Sequence, residues 1–115
     1  MENNHKTQSL PATIRTFLDA QEVRDPEAAL ALFVEGAVIS DVGESFAGGE
    51  GIRRFIVEAG AEFTLTTEIT DVRQDGPVWV VSEHLEGDFP GGKADLDYRF
   101  TLEGDRISRL DIVLG

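Results

Sequence analysis

Residues 94–104, ADLDYRFTLEG, alternate without a break. Leu96, Tyr98, Phe100 and Leu102 fall on one side of an extended chain and Asp95, Asp97, Arg99 and Thr101 on the other. That period of two marks a strand with one buried face. The stretch that follows, RISRLDIVLG (106–115), does the same, with Leu110, Ile112 and Leu114 facing inward and Arg109 and Asp111 outward. Upstream, PVWVVSEHLEGDF (77–89) splits into a set of Trp79, Val81, Glu83 and Leu85 and a set of Val80, Ser82, His84 and Glu86. The first set is the more apolar and is expected inside, which makes Glu83 an inward carboxylate and His84 an outward histidine. FTLTTEITDVRQ (63–74) completes four strands. Asp75-Gly76, Pro90-Gly91-Gly92 and Gly104-Asp105 join them with the residue types tight hairpins need, so consecutive strands are expected to pair antiparallel.

Before residue 60 the period is helical. Leu10, Ile14, Phe17 and Leu18 make one stripe, with Ser9 placed to cap it and Pro11 in its first turn. Asp25-Pro26-Glu27 repeats the start signal and opens a helix carrying Ala29, Leu30, Leu32 and Phe33, which Gly36 is expected to stop. A short strand at 37–41, AVISD, comes next. After the turn GESFAGGEG, Ile52, Phe55 and Ile56 mark a third helix that Gly60 ends. Three N-terminal helices followed by a meander predict an α+β fold, with helices packed on one face of a sheet.

The 115 residues fit one domain spanning 1–115, with a disordered start at 1–8, and can bury roughly two-thirds of the unfolded surface. Ten basic against twenty-two acidic residues give a net charge of −12, which repels nucleic acid and anionic lipid. With no cysteine there is no disulfide framework, thiol nucleophile or thiolate metal site. The opening MENNHKTQSL lacks the apolar core of a signal peptide, and no run approaches the ~20 apolar residues a spanning helix needs. A soluble, cytoplasmic protein is the expectation. His5 and His84 have no partners at ligand spacing, so no metal is expected, and no cofactor motif is present. FAGGEG lacks the spacing of a phosphate loop.

The order of DPEAALALF (25–33), AVISD (37–41), a glycine turn, GIRRF (51–55) and FTLEGDRISRL (100–110) resembles the nuclear transport factor 2-like superfamily, within it the SnoaL-like polyketide-cyclase and ketosteroid-isomerase branch. The resemblance runs from about Leu10 to Leu114. It implies a cone in which a strongly bent, mainly antiparallel sheet wraps the helices and leaves an apolar pocket at its open end. It further implies a small apolar ligand and a homodimer through the outer sheet face, where Val78, Val80 and Val113 accompany the charges of Asp97, Arg99, Arg109 and Asp111. In ketosteroid isomerases the general base is an aspartate at the end of the strand after the second helix, and Asp41 stands there. The isomerase's two oxyanion donors, a helix tyrosine and a protonated strand carboxyl, match Phe17 and Leu96, neither of which donates a hydrogen bond. Tyr98, one inward step from Leu96, can supply a phenol.

The candidate catalytic residues are therefore Asp41, Glu83 and Tyr98. If the two carboxylates share a pocket, mutual repulsion should split their pKa values into an acid and a base. The pocket walls are expected from Phe17, Trp79, Val81 and Leu96, and from Phe100, Leu110 and Ile112. Asp41 also has a purely structural explanation, as an acceptor for the backbone N–H groups of its own turn. Two functions stay open: an isomerase- or cyclase-like enzyme using a carboxylate base, and a non-catalytic ligand-binding or dimerising module.

Overall fold

The computed structural model describes residues 10–115. Among these residues three helices, α1 (Ala12–Glu22), α2 (Pro26–Leu30) and α3 (Gly48–Glu58), pack on a sheet of six strands. The strands are β1 (Phe33–Asp41), β2 (Glu44–Ala47), β3 (Leu65–Asp75), β4 (Val78–Gly87), β5 (Lys93–Glu103) and β6 (Arg106–Leu114), in the spatial order β2-β1-β6-β5-β4-β3. Every neighbouring pair is antiparallel except β1 with β6. The α+β layout, and the sheet being mainly antiparallel, match the pattern read from the sequence.

The first half of the chain departs from that pattern in three places. Ser9 and His5 lie outside the described residues; α1 begins after Pro11 without a side-chain cap. The second helix is a single turn capped by Asp25, whose carboxylate accepts the Ala28 N–H, and it ends at Leu30. Phe33 already belongs to β1, so Gly36 does not stop a helix. It sits inside the strand at φ +78°, in the stretch where the β1–β6 register shifts between Phe33 and Val38. A glycine that tolerates positive φ serves a helix end and a strand bulge equally well, and here the bulge uses it. The turn after Asp41 also holds an unforeseen strand. Val42 (φ +48°) and Gly43 (φ +92°) form a two-residue hairpin that pairs Asp41 with Glu44 and starts β2.

The core is built by aromatic contacts across the layers. Phe17 of α1 meets Phe33 and Phe100 edge-on, at 5.7 and 5.6 Å between ring centres, and Phe46 of β2 meets Phe55 of α3 at 5.4 Å. Of the inward positions of β5 and β6, Tyr98, Phe100, Leu110 and Ile112 are buried, Leu96 and Leu102 are partly buried, and one is exposed. Leu114 is 69% exposed, because β6 runs on past the part of the sheet that the helices cover. On the opposite face Val80 is only 1% exposed, so it is already closed off within the chain and offers no surface to a partner. The outward charges of β5 and β6 do not pair with one another across the two strands. Arg109 bonds Asp111 on its own strand, and Asp97 takes Ser82 and Arg73 from β4 and β3.

Candidate functional site

Register sorts the inward side chains into rows that run across the sheet. Ile39, Leu110, Phe100 and Trp79 make one row. Asp41, Ile112, Tyr98 and Val81 make the next, and Leu96 and Glu83 belong to the one beyond. Helix α1 covers the first row, with Phe17 against Phe100. Past the second row the helices no longer fill the concave side, and a cavity of about 1280 Å³ opens.

Asp41, Glu83, Tyr98 and Leu96 all line that cavity. Phe17, Val81, Phe100, Leu110 and Ile112 do not: each is at most 1% exposed and belongs to the core, and Trp79 is a partly buried residue packed against that core. Alternation shows which face a side chain takes but not how far along the cone the helices reach, so core and pocket positions of one face look alike in the sequence.

Asp41 is half-buried at the end of β1, and among the described residues nothing donates a hydrogen bond to its carboxylate. The N–H of Val42 goes instead to the carbonyl of Ile112, at 2.9 Å. Its turn therefore does not account for the aspartate. Removal from water raises the Asp41 pKa, and the Glu44 carboxylate opposite it in the hairpin adds to the rise. Glu83 is 6% exposed and unpaired among the described residues, and burial pushes its pKa up to about 7. Each carboxyl is thus raised chiefly by its own burial. Mutual repulsion contributes to neither, which corrects the expected coupling: β6 and β5 lie between the two strands that carry them.

Tyr98 stands between them, in the row of Asp41 and diagonal to Glu83. Its hydroxyl accepts a hydrogen bond from the Gln21 side-chain N–H at 3.0 Å, leaving its own proton free to be donated. Burial raises the Tyr98 pKa above the ordinary value, the Glu83 and Asp41 charges add to that, and the bond from Gln21 opposes it. The phenol is therefore a neutral donor at any ordinary pH. Gln21 escaped the sequence reading, although the signal was there: four residues after Phe17, it puts an amide where the helical stripe calls for an apolar side chain.

At the open end Phe63 and Phe89 meet edge-on at 5.9 Å and line the mouth. Their loops are tied together by the Thr64 N–H donating to the Asp88 carboxylate at 2.8 Å. His84 lies on the outer sheet face between Asp95 and Glu86, at 2.7 and 2.9 Å. Among the described residues no three His, Cys, Asp or Glu side chains are arranged to hold a metal, and no helix is long and apolar enough to cross a membrane.

Comparison with known proteins agrees with this architecture. Residues 14–110 match the model of the SnoaL-like domain. A candidate polyketide cyclase from Sinorhizobium meliloti is 32% identical, with 90% of this chain and 94% of that one covered and a TM-score of 0.81. A protein with a ketosteroid isomerase-like fold from Catenulispora acidiphila, solved with trimethylamine, is 17% identical over 93% of this chain and 88% of that one, with a TM-score of 0.78. A candidate ketosteroid isomerase from Kribbella flavida is 22% identical over 90% and 76%, with a TM-score of 0.70. No curated protein matches the chain. The matched span, together with three helices on a six-stranded open sheet and a cavity at its uncovered end, makes the chain a member of the SnoaL-like branch of the nuclear transport factor 2-like superfamily.

Proposed function

We propose that the protein binds a small, largely apolar carbonyl compound in the cone cavity and moves a proton at the carbon beside the carbonyl. Asp41 is the general base and Tyr98 the donor to the oxygen on which charge develops. The observation that carries this reading is the Tyr98 hydroxyl, which accepts from Gln21 and so keeps its own proton to donate, in a cavity that Asp41 also lines. Two strand spacings separate Asp41 from Tyr98, roughly 10 Å between backbones, which leaves room for a substrate to bridge them. A base must be ionised yet basic enough to accept a proton from carbon, and the burial that raises the Asp41 pKa supplies that compromise. The relatives described as a candidate polyketide cyclase and a candidate ketosteroid isomerase support a carbonyl substrate.

The test is exchange of α-protons into heavy water, followed by NMR, over a panel of cyclic 1,3-diketones and β,γ-unsaturated ketones. Asp41→Asn should slow exchange about 100-fold or more and Tyr98→Phe about tenfold. An Asp41→Asn variant that exchanges at the wild-type rate rules Asp41 out as the base. One observation favours the alternative of a binding module without catalysis: Phe17, which the resemblance matches with Leu96 to the isomerase donors, lies wholly inside the core. Its signature is saturable ligand binding with no exchange of any bound compound.

A further inference from the structure

Glu83 takes no part in that proton transfer, and its position is costly. It is 6% exposed, lines the cavity, and among the described residues has neither hydrogen bond nor ion pair. The residues opposite it on both neighbouring strands, Ile69 and Leu96, are apolar and cannot pair with it. A buried carboxylate left in this state costs several kcal/mol, a cost that a cation arriving from outside would remove.

The rest of the cavity leans the same way. Asp19 and Glu22 of α1, Asp41 of β1 and Glu68 of β3 add four further carboxylates to its lining, against the guanidinium groups of Arg15 and Arg24. Arg24 is engaged elsewhere: its guanidinium donates to the carbonyls of Ile56 and Ala59, at 3.0 Å each, at the end of α3. The net charge of −12 extends the same field beyond the cavity mouth and draws cations toward it. Phe63, Phe89 and Leu85, all lining the cavity, give apolar surface for the body of a ligand.

We infer that the ligand carries a protonated amine and that Glu83 is its counter-ion, an assignment that rests on the cavity being the ligand site. Anionic ligands, carboxylates and phosphate esters among them, are then disfavoured. Because burial holds the empty-site pKa of Glu83 at about 7, binding of a cation expels the proton that Glu83 partly holds near neutrality. The other charged or titratable groups lining the cavity are Tyr98 from β5, Asp41 from β1, Glu68 from β3, Arg15, Asp19 and Glu22 from α1, and Arg24.

Three probes with one apolar cage separate these ideas: 1-adamantylamine, 1-adamantanol and 1-adamantanecarboxylate, measured by calorimetric titration of the wild type and of Glu83→Gln. At about pH 8 the amine should bind the wild type about tenfold or more tighter than the alcohol, with the carboxylate weakest. Wild-type affinity for the amine should fall about tenfold between about pH 8 and about pH 6 as Glu83 takes up its proton. Glu83→Gln should lose both the preference and the pH dependence while still binding the alcohol. Equal binding of alcohol and amine by the wild type, or a preference that survives Glu83→Gln, overturns the assignment and leaves the ligand site standing. Failure of all three probes to bind overturns the ligand site as well. Should Glu83→Gln not fold, an amine affinity that stays flat with pH in the wild type is decisive against the assignment.

Discussion

Val42 holds φ +48° in the turn after Asp41, a conformation that a β-branched side chain disfavours and that the two-residue hairpin nevertheless requires. The side chain is 52% exposed and so gains little by burial in return. Val42→Asn should raise stability by about 1 kcal/mol, read as a higher urea midpoint with unchanged slope, and a lower midpoint would contradict it. Glu83 makes a second prediction at this scale. Its folded pKa of about 7 lies above the ordinary 4.5, so between those values the folded state keeps a proton that the unfolded chain has released. The stability this gives is full below 4.5 and lost as pH rises through 7, a loss of about 3 kcal/mol. Glu83→Gln cannot titrate, so its stability relative to wild type should climb by about that amount from the acid end of the window to about pH 8. A difference flat with pH would refute the burial of a titrating carboxyl. Alternation alone had placed Glu83 inward, and the strand-end position had picked out Asp41. Their lack of hydrogen-bonding partners among the described residues depends on where α1 and the turn amides lie, which no local pattern encodes.

Among the elements, α3 shows how one side chain joins two others. Arg24, at φ +54° between α1 and α2, donates to carbonyls at the C-terminal end of α3, where cations are favoured and backbone acceptors lack partners. Arg24→Ala should lower the melting temperature by a few degrees, in keeping with about 1 kcal/mol for an exposed cap. No change would mean water serves those carbonyls equally well. β4 ends in a tighter constraint. A Cβ on Gly87 would lie 2.5 Å from the Thr64 carbonyl oxygen, so Gly87→Ala must push apart the loops that carry Phe63 and Phe89. We expect a loss of about 2 kcal/mol or more and weaker ligand binding. The four strands after residue 60 were legible because alternation, hairpin residues and length all agree there. The single turn of α2 was too short to show a period. β2 was hidden because valine is the wrong residue to announce a turn with positive φ, and Gly36 because bulge and helix end ask the same of a glycine.

Across the described residues, the molecule is a sheet only partly covered by its helices, and the uncovered part opens into the cavity proposed as the site. Which inward rows are core and which are cavity follows from the reach of α1, a tertiary distance; for that reason Phe17 and Phe100 were expected in the pocket and lie beneath it. The outer face carries charges held by ion pairs such as Arg73–Asp71 and Arg109–Asp111, with Val80 closed off and Val113 42% exposed. A homodimer through this face remains our proposal, and its interface would be polar. Light scattering at micromolar concentration should then give twice the chain mass of 12.6 kDa, falling toward the monomer as salt is raised. A monomer at low salt would contradict it. The central claim is that Asp41 and Glu83 are separate, desolvated carboxyls of one ligand cavity, and side-chain carbon NMR titration of the ligand-free protein tests it most directly. Both should titrate above ordinary carboxylate values, Glu83 near 7, with the Asp41 curve unmoved by Glu83→Gln. Two carboxyls titrating as they do in short peptides would mean that both are solvated, and the cavity chemistry would fall with them.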